Sequence, residues 1–389
     1  ALCRVRTTNY QGDRRLKCLS IAFSSFRNIA DEKCEFSDGA NLLWGKNAQG
    51  KSNILEGIYF FARGRSFRGA KEKDMISFGE PAARLSLDFR RDGDKGAVNL
   101  SAYLPQSGKK VLCRGGAKLS GTKEMIGNFR AVLFCPAHLT LVSGGPALRR
   151  NFLDIALSQL YPAYLDSLSR YNRALHQRNA LIKQAQSAAV DPSLWEIYAD
   201  QLSSLSADIA SRRLSYMTEL SGYVEALFDS MTVGAEKPGL IYTTVLEKEH
   251  GGDEEIISDG RERLRALLCD NIQREIAYGS TLYGVHKDDF SVMLCGREAK
   301  LYASQGQQRS LALAMKLAEG EMSRAAGGEY PVFLLDDVLS ELDEGRRGFV
   351  ISKLCGRQII ITSCEPDALT KYSGTSRLIC VENGMIKDV

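Results

Sequence analysis

"NLLWGKNAQGKSNILEGIYFFARG", Asn41 to Gly64, is the stretch on which the fold of this 389-residue chain turns. Inside it GKNAQGKS, Gly45 to Ser52, fits the phosphate-loop pattern of a glycine, four residues and Gly-Lys-Ser. The pattern is short, so its context must carry it. Ala40 to Trp44 is an apolar run of strand type, and after Ser52 the apolar residues Ile54, Leu55, Ile58, Phe61 and Ala62 recur at helical spacing. In that order each residue type has a use. Gly45 and Gly50 let the backbone N–H groups of the loop, through Lys46, Asn47, Ala48 and Gln49, face a phosphate, and the helix N-terminus adds its positive end. Lys51 reaches the terminal phosphates and Ser52 can ligate Mg²⁺. The alternative is a plain glycine turn between strand and helix.

The other half of such a site is an apolar strand ending in carboxylates, and Val332-Phe-Leu-Leu-Asp-Asp337 has that form. Its unbroken apolar run predicts burial on both faces. Asp336 would hold Mg²⁺ and Asp337 would orient and polarise an attacking water. Capping of the next helix is the alternative use of an Asp pair. Ser340-Glu-Leu-Asp343 follows directly, and Arg357-Gln-Ile-Ile-Ile-Thr362 reads as a further core strand ending in the hydroxyls of Thr362 and Ser363. Parallel strands ending beside a phosphate loop are what a doubly wound sheet requires.

A third segment, from Leu301 to Met315, joins the polar turn Ser304-Gln305-Gly306-Gln307 to a long helix with Leu311, Met315, Ala318 and Met322 on one face. A Ser and a Gly at a helix N-terminus form a second anion site. If Ser304 and Gly306 cap the γ-phosphate held by the loop of a second copy, ATP joins a two-fold homodimer to which each subunit offers both halves. A capped surface helix is the competing reading.

Composition narrows the classes. The chain is 44% apolar and 25% charged, and 51 Lys plus Arg against 47 Asp plus Glu leave a formal charge of +4. That balance permits a nucleic-acid partner without requiring one. Ten cysteines include no C-x-x-C pair and the four histidines are scattered, so a zinc cluster and a disulfide framework both lack the spacing they need. No apolar run reaches the roughly 18 residues of a membrane span, and the start has no apolar signal segment. A soluble cytoplasmic protein without membrane contact is the expectation.

Phosphate loop, Ser-Gln-Gly-Gln signature, LLDD strand and SELD turn, in this order, resemble the ABC-type ATPase heads of the SMC group, and within it the RecF family of recombination-mediator ATPases. Closer likeness lies in Ser25-Phe-Arg-Asn28, Gly64-Arg-Ser-Phe-Arg68, Leu133-Phe-Cys-Pro136, Leu139-Thr-Leu-Val142, the run Gly144 to Asp154, Gln177-Arg-Asn179, Tyr283 to Asp289 and Asp337 to Asp343. The likeness spans about residues 16 to 389. Ala137 and His138 depart from the usual acidic residues, Phe67 from His and Val285 from Pro, and no switch histidine follows Ile361, which leaves γ-phosphate sensing to Thr362 or Ser363. The resemblance implies ATP and Mg²⁺ as cofactors, a homodimer closed by ATP over double-stranded or gapped DNA, and RecR and RecO as partners that help load RecA. It also implies a nucleoid-associated protein of replication, recombination and the SOS response. Asp337 is one methylene shorter than the Glu usual in transporter ATPases, so weak, slow Mg-dependent hydrolysis is expected. The nucleotide-binding subunit of an ABC transporter, or a phosphate-loop small-molecule kinase, is the alternative.

Between the two halves lies a helical pattern. Leu165, Leu168, Asn172, Leu175, Asn179 and Ile182, then Trp195, Tyr198, Leu202, Leu205, Ile209 and Arg212, keep a 3-4 spacing around the turn Asp191-Pro192-Ser193. This predicts an antiparallel helical hairpin. Residues 149–183 carry six Lys or Arg against two acids, and residues 191–229 two Arg against seven acids. Mutual ion pairing across the hairpin is expected, with DNA phosphates as the alternative target of the basic helix. Arg63, Arg65, Arg68 and Lys71, with Lys73, form a further basic cluster: a DNA contact or a solvated turn. Alternation in Arg84 to Phe89 and Val98 to Tyr103 reads as an antiparallel sheet. The expected architecture is α/β: an N-terminal extension (1–15), an ATPase head from 16–135 (phosphate loop and β subdomain) and 275–389 (signature, Walker B strand and D-loop), and an inserted helical arm (136–274).

Overall fold

The computed structural model describes residues 14–232, 236–246, 253–365 and 376–388; of the expected N-terminal extension, 1–13 lie outside them. Two compact units divide the chain, one from 1–139 with 315–389 and the other from 140–314. The expected arm ended at 274, whereas the second unit continues to 314. Strand pairing is the reason: Asp289–Leu294 runs antiparallel to Pro238–Thr243, so the segment after 275 is bonded to the helical unit. The division falls inside the helix Gln305–Gly327.

The first unit holds two six-stranded sheets. One has the order Met385–Asp388, Ser376–Glu382, Ala40–Trp44, Ile359–Ser363, Val332–Asp336, Ala131–Phe134. All its pairings are parallel except the terminal hairpin. Val332–Asp336 is buried along its whole length, as a strand covered on both faces must be. The other sheet is antiparallel, built from Ile29–Glu35, Leu16–Phe26, Ala82–Arg91, Val98–Pro105, Val111–Arg114 and Ala117–Lys118. Alternating burial along Ala82–Arg91 turns Ala83, Leu85, Leu87 and Phe89 into the core. The helix Lys51–Arg63 touches both sheets. Gly57 permits that approach, since a Cβ there would sit 2.4 Å from the Phe23 ring. The side chain of Gln358 ties the two sheets, accepting from Cys18 N–H at 2.7 Å and donating to Cys18 O and Ser37 O.

The second unit carries the helices Pro146–Leu160, Pro162–Ala185, Ser193–Thr232, Asp253–Asp270 and Ile272–Tyr278 and a three-stranded antiparallel sheet. Pro162–Ala185 and the 40-residue Ser193–Thr232 are antiparallel: Leu181 and Ile182 pack with Trp195, while Tyr164 meets Arg213. The seam follows the expected spacing along most of the second helix, where Trp195, Leu202, Leu205 and Ile209 are buried, and shifts along the first. Along the first helix the buried row is Tyr164, Tyr171, Ala174, Arg178, Leu181 and Ile182, with Asn172 exposed, and along the second Arg213 replaces Arg212. Long polar side chains took the core positions because each finds a partner there. Arg178 pairs with Glu275 at 2.6 Å, both fully buried, and donates to Thr281 Oγ1. Arg213 reaches Asp154 at 2.7 Å, Asp288 at 3.3 Å and Val285 O at 2.9 Å. Arg149 grips Asp289 through two bonds of 2.7 Å. Arg213–Asp154 is a pair of the expected kind, between residues 191–229 and 149–183, whereas Arg178 and Arg149 take partners beyond both segments; all three arginines are buried. They are equally withdrawn from DNA. Burial pushes the His286 imidazole down to about 4, consistent with a neutral ring bonded to Tyr171 Oη at 2.6 Å.

Candidate functional site

The loop between Trp44 and Lys51 is held from three sides. Gly50 has φ 114° and Ala48 φ 63°, conformations that turn successive N–H groups the same way. A Cβ on Gly50 would lie 2.9 Å from Asn28 Oδ1, so glycine is also required sterically. Asn28 donates to Gln49 O at 3.1 Å and accepts from Asn53 Nδ2 at 2.7 Å. Its neighbour Arg27 makes a fork to Glu56 with bonds of 2.9 and 2.8 Å, and Glu56 is fully buried in the loop helix. Ser66 Oγ donates to the same carboxylate. On the third side the turn Asn383-Gly384 sends both N–H groups to Gln49, at 2.6 Å to Oε1 and 2.9 Å to O.

Lys51, 8% exposed, points its ammonium back along the loop, donating to Gly45 O at 2.5 Å and Lys46 O at 2.8 Å. Among the described residues the N–H groups of Ala48 to Ser52 have no hydrogen-bond acceptor. A cavity of about 450 Å³ opens in front of them, lined by the loop together with Asn28, Arg68, Asp337, Thr362 and Cys364. Its size falls within the range of small-molecule sites.

Asp337 meets this cavity from the end of Val332–Asp336, while Asp336, the expected metal ligand, is not among its lining residues. Val332–Asp336 lies parallel to Ile359–Ser363 with Asp336 opposite Thr362. Thr362 Oγ1 donates to Asp336 Oδ1 at 3.1 Å and accepts from Asp337 N–H at 2.9 Å. Asp337 has φ 50°, a left-handed conformation that costs a non-glycine residue free energy and is concentrated at functional sites. Ser340 Oγ donates to Asp337 O at 2.7 Å. Asp343 caps the helix Glu344–Leu354 by accepting from Arg346 N–H at 2.9 Å, which holds its carboxyl below the usual range. Thr362 and Cys364, two apart on an extended chain, both face the cavity. Of the two hydroxyls expected there, Thr362 reaches the cavity, and Ser363 instead accepts from Glu365 N–H at 3.0 Å. Cys364 Sγ lies 3.6 Å from Lys51 Nζ and 2.9 Å from Asn47 Oδ1.

The signature segment belongs to the second unit as a reciprocal capping box. Ser304 Oγ accepts from Gln307 N–H at 3.2 Å and Gln307 Oε1 accepts from Ser304 N–H at 2.7 Å. Ser304 and Gln305 are exposed, and the N–H groups of Gln305 and Gly306 have no acceptor among the described residues. The basic cluster splits. Arg65 and Lys71 are exposed, whereas Arg63 is half-buried, with desolvation lowering its pKa, and Arg68 donates to Asn53 Oδ1 at 2.8 Å beside Glu56. The residues a reading of the sequence missed are the supports: Asn28 and Arg27 only as part of a resemblance, Glu56, Cys364 and Asn383 not at all. Glu56 alone left a trace, as a carboxylate within an apolar helical run.

Against known proteins, the family model "RecF/RecN/SMC N terminal domain" matches residues 17–387. The protein named "DNA replication and repair protein RecF" of Thermoanaerobacter sp. (strain X514) is 35% identical over 338 residues, 87% of this chain and 91% of that one. The same-named protein of Halalkalibacterium halodurans is 34% identical over 369 residues, 94% and 98% of the two chains. Among solved structures, a recombination mediator protein RecF of the RecFOR pathway with ATP superposes with TM-score 0.88 at 32% identity, covering 98% of this chain and 99% of that one. An Smc head domain of Pyrococcus furiosus shares the fold at TM-score 0.55 and 15% identity, over 96% of each chain.

Proposed function

Because the chain belongs to the RecF family of DNA replication and repair proteins, with the ABC-type ATPase head of the SMC group, we propose that it is an ATP-operated clamp on DNA in recombinational repair. It is an ATP-binding ATPase of that family, and its family leaves the transporter and kinase alternatives without support. The observation that carries the reading is the cavity in which a preformed phosphate loop and the strained Asp337 face the same space.

In this reading Gly45, Lys46, Asn47, Ala48, Gln49 and Gly50 bind phosphates through backbone N–H groups, and Lys51 leaves its carbonyl partners for the terminal phosphates. Ser52 and Asp336 offer a hydroxyl and a carboxylate, hard oxygen donors that suit Mg²⁺, which supplies charge neutralisation to the phosphates when bound. Among the described residues no group of three or more His, Cys, Asp or Glu is placed to hold a metal ion. Asp337 orients the attacking water, with Thr362 fixing its backbone. Ser304, Gln305, Gly306 and Gln307 present their donors to the γ-phosphate held by a second copy, so that ATP closes a homodimer and slow hydrolysis opens it.

The DNA is double-stranded near a gap, contacted by Arg65 and Lys71 rather than by Arg63 or Arg68, and RecR and RecO are the partners in loading RecA. Support comes from the relatives, whose names place them in DNA replication and repair and in the RecFOR pathway. No helix among the described residues is long and apolar enough to cross a membrane. Sizing the protein with and without ATP and Mg²⁺ on gapped DNA tests the reading: a nucleotide-dependent doubling of mass is expected, and an unchanged monomer refutes the clamp.

A further inference from the structure

The signature turn is steadied by a side chain outside its own helix. Gln307 uses both ends of its amide: Oε1 accepts from Ser304 N–H at 2.7 Å, and Nε2 donates to Glu236 Oε1. An amide has two orientations that differ only in which end carries the donors. With the amide reversed, Gln307 would aim N–H groups at the Ser304 N–H, and the capping box would open. An ionised carboxylate only accepts, so Glu236 selects the orientation that closes it.

Glu236 is itself well placed for this. The next residue, Lys237, accepts from Cys295 N–H at 2.8 Å, and Pro238 begins the strand paired with Asp289–Leu294. That pairing ends in the turn Cys295-Gly296, both at positive φ, which delivers the chain through Arg297–Glu298 and Ala299–Tyr302 to Ser304. Carboxylate and signature therefore hang from one three-stranded sheet, and all of these residues lie in the second unit.

We propose that Glu236 is a positioning residue for the signature turn. By orienting Gln307 it holds the Ser304 cap closed, with the N–H groups of Gln305 and Gly306 presented together for phosphate. A carboxylate beside an anion site also repels the anion, so two opposite outcomes are open to experiment. As a positioning group Glu236 assists phosphate capture; as an electrostatic brake it opposes it. The exposed turn favours positioning, since Glu236 is the partner that fixes the Gln307 amide, while the Gln308 amide separately ties the helix start to Ala299 O and Ala303 O.

The inference rests on the signature meeting the nucleotide of a second copy, and the test separates the two. Full-length wild type, Glu236→Ala, Glu236→Gln, Gln307→Ala and the double variant Glu236→Ala/Gln307→Ala are titrated with ATP and Mg²⁺, reading mass by light scattering and monomer ATP binding by fluorescence. Loss of one charge-assisted hydrogen bond predicts that Glu236→Ala needs about tenfold more ATP for half-maximal dimerisation. Glu236→Gln, which keeps an acceptor, recovers most of it. Glu236→Ala adds little to Gln307→Ala, because the carboxylate acts through that amide. Monomer ATP affinity and melting temperature stay at wild-type values. If Glu236→Ala and Glu236→Gln both dimerise more readily, the brake is right and positioning is overturned. Wild-type behaviour of Glu236→Ala also overturns it while leaving the ATP-closed dimer standing. A wild-type chain that stays monomeric removes that dimer and this inference with it.

Discussion

The chain builds two helix N-termini with phosphate-type donors, and they are built in opposite ways. The phosphate loop is over-determined: Asn28, the Arg27–Glu56 fork and the Asn383-Gly384 turn each fix part of it, and Lys51 waits inside as a buried cation. The signature turn is an exposed capping box, tied to Glu236 through Gln307 and to Ala299 through the Gln308 amide, with no cation of its own within Ser304 to Gln307. A site of the first kind can bind a triphosphate alone. One of the second kind has donors but too little charge or enclosure, so it gains affinity only where another surface brings the phosphate. Rigidity and incompleteness together suit a protein whose ATP binding precedes its dimerisation.

The strongest way to break this contrast is at the chemistry. Asp337→Asn keeps the shape and removes the base-like oxygen, so hydrolysis should fall about 10²- to 10⁴-fold while ATP binding persists and the closed dimer accumulates. Phosphate release at wild-type rate from that variant would remove Asp337 from its role. Lys51→Met should weaken ATP binding about 10²- to 10³-fold, the usual cost of deleting one preorganised donor, and isothermal titration reads it directly. Glu56→Ala tests the over-determination. It leaves Arg27 and Ser66 without their buried acceptor, and removing one partner of such a pair costs about 3 kcal/mol. Denaturant unfolding should show that loss together with weakened ATP binding; lost stability with unchanged ATP affinity would mean that the fork supports the helix and not the loop.

Ser304→Arg addresses the other side of the contrast. Monomer ATP binding should be untouched and dimerisation lost. Mixed with Lys51→Met it should regain one composite site, formed by the intact loop of one copy and the intact signature of the other. Failure of the mixture to dimerise would count against a site shared between copies.

What the sequence disclosed follows the same contrast between local and distant determinants. Ala40–Trp44 and Val332–Asp336 were legible to the residue, because a parallel strand buried on both faces writes its burial as an unbroken apolar run. The loop residues were legible because consecutive residues make the site. Asn28 and Asn383 were not, since each acts on the loop from another segment and nothing local distinguishes it from a surface polar residue, and Glu56 left only the trace of a carboxylate within an apolar helical run. In the helical unit the seam was read largely as it stands along the second helix and came out about one residue off along the first. A rule that seeks apolar side chains passes over Tyr164, Arg178 and Arg213, which are buried because Asp154, Glu275 and Asp288 await them. The cluster after the loop helix divides in a way its spacing does not show, since Arg63 is half-buried while Arg65, Arg68 and Lys71 are exposed.

That last difference gives the smallest predicted effect. Arg65 and Lys71 are exposed, while Arg63 is half-buried and Arg68 bonds Asn53 and lines the nucleotide cavity. Arg68 is exposed as well but is held to Asn53 at 2.8 Å, which leaves Arg65 and Lys71 as the readier contacts to a phosphate backbone, and each such contact releases a counterion and steepens the salt dependence of binding. Lys71→Ala should therefore weaken ATP-dependent binding to gapped duplex a few-fold and lower the slope of log affinity against log salt by about 1, regardless of sequence. Arg68→Ala should leave that slope unchanged and instead weaken ATP binding, because it acts beside the loop. If Arg68→Ala lowers the salt slope and Lys71→Ala does not, the DNA path runs over the cavity mouth, and the division of labour within this cluster is reversed.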